Sequence, residues 1–143
     1  QISLIDKKKD HSEIKALCYS NEIKPEILRI HKKNNVTSHQ KMKSSLKFCL
    51  VASGEFDIYV AEPRACEWDI AAGHAILKHS GGSITDFNGD KIFYGKKNFE
   101  NPSLILKGKS INKLILFKKI IKVLKRIQSI KSRSINPAFT INL

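Results

Sequence analysis

The sequence predicts an α/β domain, a sheet covered by helices, and three observations carry that class. Apolar runs of strand length, such as Phe56–Val60 and Leu104–Leu106, alternate along the chain with longer stretches of helical period. Gly54, Gly81–Gly82 and Asn88–Gly89 punctuate those stretches where helices stop and hairpins turn. Hydrophobic residues make up 41% of the 143 positions, which suits one soluble domain. No apolar run approaches the roughly 18–20 residues of a membrane span.

The elements follow in order. Ile2–Ile5 and Ile14–Tyr19 read as strands, the first ended by the charged run Asp6–Asp10. Pro25 suits the first turn of a short helix carrying Ile27, Leu28 and Ile30, with Asn34 and Asn35 placed to end it. Val36–Ser38 is a further strand. Ser44 or Ser45 caps the next helix, whose Leu46, Cys49, Leu50 and Ser53 share a face before Gly54 ends it. Phe56, Ile58 and Val60 alternate with Asp57 and Tyr59 as a strand does. A helix over Asp69–His79 is stopped by Gly81 and Gly82. Ser83–Phe87, an Asn88-Gly89 turn and Ile92–Tyr94 then form a hairpin, and Leu104–Leu106 is the closing strand.

Charge is unevenly spread. The net +13 includes nine basic residues and no acid over 109–143, while 1–108 carries 17 basic against 13 acidic residues. The excess therefore belongs to a tail, and nucleic-acid binding by the whole protein is not implied. The three cysteines, Cys18, Cys49 and Cys66, are odd in number and lack CxxC spacing, which argues against a disulfide framework and a zinc site. Lys7–Lys9 interrupt any secretory signal, so the expected location is cytoplasmic. Of the histidines, His11 and His31 read as lying in polar surroundings, and His74 as off the face of Asp69.

The stretch Glu67-Trp68-Asp69-Ile70-Ala71-Ala72-Gly73 is the chemically informative one. Asp69 at the start of a helix serves either as a cap or as a metal ligand, and the alanines permit close packing in either case. Ser44 or Ser45 with Lys47 reads locally as a helix cap with a surface lysine. Arg64 reads as a surface partner of Glu62 or Glu67, with a phosphate contact as the alternative.

In order along the chain, Ser44-Ser45-Leu46-Lys47-Phe48-Cys49-Leu50-Val51-Ala52, Asp57-Ile58-Tyr59, Glu67–Gly73, His74–Leu77, Gly81-Gly82, Asn88-Gly89 and Asn101-Pro102 resemble the 3'(2'),5'-bisphosphate nucleotidases. These are the CysQ-like branch of the inositol monophosphatase superfamily, and the resemblance is concentrated over 44–108. It implies the C-terminal α/β layer of the inositol monophosphatase/sugar phosphatase fold. It also implies Mg2+-dependent hydrolysis of a nucleotide bisphosphate such as adenosine bisphosphate, with Asp69 as catalytic and metal-binding aspartate and Ser44, Ser45, Lys47 and Asp69 facing substrate. An inositol phosphate is the alternative substrate, and a non-catalytic remnant or binding module the alternative of another class. The family's Glu-bearing helix and Asp-Ile/Leu-Asp-Gly-Thr stretch have no counterpart here. The expectation is therefore a C-terminal half lacking its N-terminal metal-binding half, inactive when isolated.

Two departures from the family pattern stand out. Lys43 replaces the Gly usually found before the Ser pair, and Val60–Cys66 replaces a Pro-Arg-Phe-Gly-Pro-Thr loop. Residues 1–108 thus form the phosphatase half and 109–143 a basic, Lys/Ile-rich tail. Ser110 is a candidate cap for an amphipathic tail helix with a Leu114, Phe117, Ile121, Leu124 stripe beside Lys118, Lys122 and Lys125. Such a helix is a candidate for weak contact with the inner membrane surface.

Overall fold

The computed structural model describes the backbone of residues 13–134, and their side chains except at 112–119, 128 and 131–134. The expected strand Ile2–Ile5 and the loop Asp6–Asp10 lie outside the described residues. The chain divides into one unit ending at Asn112 and a second beginning at Lys113.

The first unit is built on a mixed sheet of five strands: β1 (Lys15–Cys18), β2 (Ser38–Lys41), β3 (Ile58–Ala61), β4 (Ser83–Thr85) and β5 (Leu104–Lys107). Their order is β2-β1-β3-β5-β4. β1 runs parallel to β2 and β3, whereas β5 is antiparallel to β3 and β4. Helices α1 (Pro25–Lys33), α2 (Lys47–Ser53) and α3 (Glu67–His79) cover this sheet, and α4 (Lys109–Ser134) follows β5.

Burial explains why the central strands form. All of β3 is buried, as are Ala16, Leu17 and Cys18 of β1 and Leu104, Ile105 and Leu106 of β5. Register sets Leu17 opposite Tyr59 and Tyr59 opposite Leu106. These side chains share one face with Ala61, Leu104 and Ile84, where Phe48, Val51, Ile70 and Leu77 of α2 and α3 complete the core. Cys18 and Val60, on the opposite face, line a small cavity together with Ile27 of α1. β3 is therefore covered on both sides, which is why it is apolar throughout instead of half polar, as its alternation predicts. Asp57, just before β3, is also buried; it accepts the Lys15 N–H at Oδ2 (2.9 Å) and ties β1 to β3.

α2 and α3 pack closely because Gly73 permits it. A Cβ at Gly73 would lie 2.5 Å from Cγ of Phe48, so any larger residue must displace the ring. α2 ends at Gly54, whose φ of 81° is the left-handed C-cap conformation.

Several boundaries differ from the sequence expectations. β2 begins at Ser38, not Val36, because Val36 N–H turns back to the His31 carbonyl (3.0 Å) and Thr37 closes onto Ile14. Its four residues are all exposed and polar, held by backbone pairing alone. Neither Ser44 nor Ser45 is the helix cap: Leu46 is the N-cap residue of α2, while Ser44 Oγ accepts the Leu46 N–H (3.1 Å). α3 begins two residues before Asp69. Ile92–Tyr94 forms no strand; the Asn88-Gly89 segment is an Asx turn in which Asp86 Oδ1 accepts the N–H groups of Asn88 (2.9 Å) and Asp90 (2.8 Å). One bridge, Thr85 to Lys91, closes it, and β4 pairs with β5 instead. Ser110 lies inside α4, which starts at Lys109.

Candidate functional site

The C-terminal ends of parallel strands are where α/β sheets present ligand sites, and here β1 runs into Tyr19 and β3 into the loop bearing Arg64. Both residues border a cavity of about 730 Å³. Ser44, Ser45 and Lys47 enter it from the turn before α2 and its first residue, and Trp68 and Asp69 from the first turn of α3. Four residues singled out in the sequence thus meet at one place, although 22 positions separate Lys47 from Asp69.

The helix ends set their orientation. Cys66, in extended conformation, is the N-cap of α3, and Asp69 is three residues on. Asp69 Oδ2 accepts the Cys66 N–H (2.8 Å), the carboxylate half of a capping box. Asp69 nonetheless remains exposed at the cavity. Capping and cavity lining are therefore compatible in this one carboxylate. Lys47 is half-buried; its ammonium donates to the Ser44 carbonyl (2.9 Å) and lies 4.8 Å from the Tyr59 ring centroid.

Arg64 corrects the sequence reading. It pairs with neither Glu62 nor Glu67: Glu62 meets Lys24, and Glu67 meets Lys96. Its guanidinium carbon stands 3.3 Å from the Tyr19 ring centroid, and Lys43 Nζ stands 5.5 Å from the same ring. Burial and the nearby Arg64 charge lower the Lys47 ammonium below its ordinary pKa. Burial pushes the Tyr59 hydroxyl up to about 12, keeping it neutral beneath these cations. The cavity accordingly offers two cations without a carboxylate partner of their own in the ion pairs described, beside hydroxyls and aromatic faces, a set suited to a phosphate ester.

The start of α3 is fastened from behind. Buried Glu67 accepts the N–H groups of Gly95 (2.8 Å) and Lys96 (3.1 Å) and pairs with the Lys96 ammonium. Those contacts hold its pKa at about 2, the Lys96 hydrogen bond being the largest cause. Glu67 N–H donates to the Phe99 carbonyl (2.8 Å), and the Phe99 ring leans on Trp68 with centroids 5.8 Å apart. Asn101 receives the Lys96 ammonium at Oδ1 (3.2 Å). Sequence reasoning treated Glu67 only as a motif member and a partner for Arg64; the Gly95-Lys96 turn that claims it is 28 residues away and leaves no local signal. Tyr19 was detectable in principle, since it directly follows a parallel strand.

His74 lies away from this cavity, with Nδ1 2.8 Å from the Tyr94 hydroxyl. His31 is buried, and its Nε2 lacks a hydrogen-bond partner among the described residues. Burial, then His39, lowers its pKa. No group of three or more His, Cys, Asp or Glu able to hold a metal occurs among the described residues.

Residues 2–128 match the inositol monophosphatase family. The match continues into α4. The CysQ 3'(2'),5'-bisphosphate nucleotidase of Buchnera aphidicola subsp. Acyrthosiphon pisum is 46% identical over 55 residues, covering 38% of this chain and 21% of that protein. An uncharacterised protein in the pss 5' region of Rhizobium leguminosarum bv. phaseoli is 46% identical over 68 residues, covering 43% of this chain and 72% of that protein. The crystal structure of CysQ from Bacteroides thetaiotaomicron superposes with a TM-score of 0.54 and 34% identity over 68% of this chain and 38% of its own. The chain thus spans less than half the length of these CysQ relatives.

Proposed function

The chain belongs to the inositol monophosphatase family, and from that premise we propose that its cavity is the substrate-facing part of a phosphomonoesterase site for 3'(2'),5'-bisphosphate nucleotides. One observation carries the reading: Ser44, Ser45, Lys47, Arg64 and Asp69 line a single cavity. A substrate with two phosphates and a base matches two cations, each lying on a tyrosine ring, beside an exposed tryptophan. Lys47 and Arg64 bind phosphate oxygens, the Ser44 and Ser45 hydroxyls donate to the phosphate or sugar, and the exposed Trp68 face stacks on the base.

Asp69 fits Mg2+ as one ligand of several. It is an oxygen donor, as a hard cation requires, but the neighbouring carboxylate of Glu67 is committed to Gly95 and Lys96. When bound, the ion would neutralise developing charge on the phosphate and activate water. This chain's residues hold the ester: Lys47 and Arg64 fix the phosphates, Asp69 keeps an anionic oxygen at the cavity, and Trp68 excludes water from one wall.

Trp68 is the only tryptophan and reports on the cavity directly. Adenosine 3',5'-bisphosphate is expected to quench its emission saturably, and Lys47→Ala and Arg64→Ala each to weaken binding about tenfold, the worth of a charge-assisted hydrogen bond. Binding of inositol monophosphate as tight as that of the nucleotide would replace this reading with an inositol-phosphate one.

A further inference from the structure

Helix α4 leaves an aliphatic strip in solvent. Ile120, Val123, Leu124, Ile127 and Ile130 are 47–61% exposed. At about 100° per residue, these five fall within an arc of roughly 120°. Lys122, Lys125 and Arg126, all exposed, fall within an arc of roughly 100° on the other side. No acid occurs anywhere from Lys109 to Leu143.

That combination selects among occupants. RNA would engage the cations and leave the strip bare. A second copy of the helix would cover the strip but leave the cations on the far side without a counter-charge, since the helix has no Asp or Glu to supply one. No described helix is long and apolar enough to cross a membrane. An anionic lipid surface satisfies both sides at once, since aliphatic side chains enter the headgroup boundary while Lys and Arg stems reach the phosphates. A helix is about 10–12 Å across, comparable to a Debye length of roughly 8–10 Å, so cations on its far side still feel part of the surface potential.

We propose that residues 120–130 of α4 lie along an anionic lipid surface, with Ile120, Val123, Leu124, Ile127 and Ile130 facing the lipid. The inference rests on α4 alone and is independent of the cavity's substrate.

Sedimenting the full 143-residue chain with vesicles of phosphatidylcholine, with and without phosphatidylserine, tests it. The chain is expected to pellet with the anionic vesicles and to stay largely in solution with the neutral ones. Each cation near such a surface is worth roughly fivefold in partitioning, so Lys122→Glu with Lys125→Glu and Arg126→Glu should cost more than about a hundredfold. Val123→Asp with Ile127→Asp should also abolish pelleting. To separate binding from misfolding, Leu124→Trp in a Trp68→Phe background is expected to shift its emission to shorter wavelength on anionic vesicles. Pelleting unchanged by the two aspartates, or an emission that does not move, would reduce α4 to a plain polycation and overturn the proposal. Retardation of RNA or a concentration-dependent dimer without vesicle binding would overturn it in favour of another occupant.

Discussion

Glu67 shows how one side chain outside the cavity fixes its wall. Its carboxylate has two backbone donors and an ammonium, and its own N–H holds the Phe99 carbonyl. The 93–101 segment is thereby pinned against the start of α3, and Phe99 against Trp68. Because the folded pKa of about 2 lies below the ordinary 4.5, the unfolded chain binds the proton more readily than the folded one. The stabilisation is fully present above pH 4.5 and is lost as pH falls toward 2. Thermal melts across that window should show a steep fall in the wild type. Glu67→Gln should melt lower at neutral pH and lose much of the acid dependence. An acid limb identical in both proteins would assign the dependence to other carboxylates.

At the scale of elements, the α2–α3 contact decides where Lys47 and Asp69 sit relative to one another. Gly73 lies against the Phe48 ring, one residue beyond Lys47 and one helical turn beyond Asp69. Gly73→Ala gains in helix propensity yet must displace a buried ring, so overpacking wins and the melt should drop by about 1–3 kcal/mol of stability. Gly73→Ala with Phe48→Leu should recover part of that loss, while additive losses would argue against the contact. This contact also marks the limit of what was legible. The helix stops at Gly54 and Gly81-Gly82, the apolar strands β3 and β5, and the Glu67–Gly73 motif carry local signals, and the structure has these elements. β2 carries none, because its Ser-His-Gln-Lys side chains are all exposed and only backbone pairing forms it. The pairing of β4 with β5 rather than with Ile92–Tyr94, and the stacking of Arg64 on Tyr19, depend on partners more than 15 residues away in sequence. Local periodicity has no access to such choices. Ser44, Ser45 and Lys47 were named from the resemblance, and Asp69 from the resemblance and its place at a helix start; their common cavity is a consequence of the α2–α3 packing.

For the whole molecule, binding and turnover should separate. The cavity has the groups to hold phosphates, but Asp69 is the only carboxylate among its described lining residues, and a magnesium ion keeps its water unless several oxygens replace it. Mg2+ alone should therefore leave the melting temperature of the 143-residue chain nearly unchanged. Adenosine 3',5'-bisphosphate should raise it, through Lys47 and Arg64. Catalysis needs charge neutralisation and an activated water together, and one carboxylate supplies neither at useful occupancy. The expected outcome is saturable nucleotide binding with no phosphate release above the uncatalysed rate. Magnesium-dependent release abolished by Asp69→Asn would show that further ligands assemble within this chain or between copies of it. Loss of nucleotide binding on Lys47→Ala without any effect on release would instead separate the cavity from the chemistry. The two measurements on one preparation thus tell a binding half from a complete catalyst.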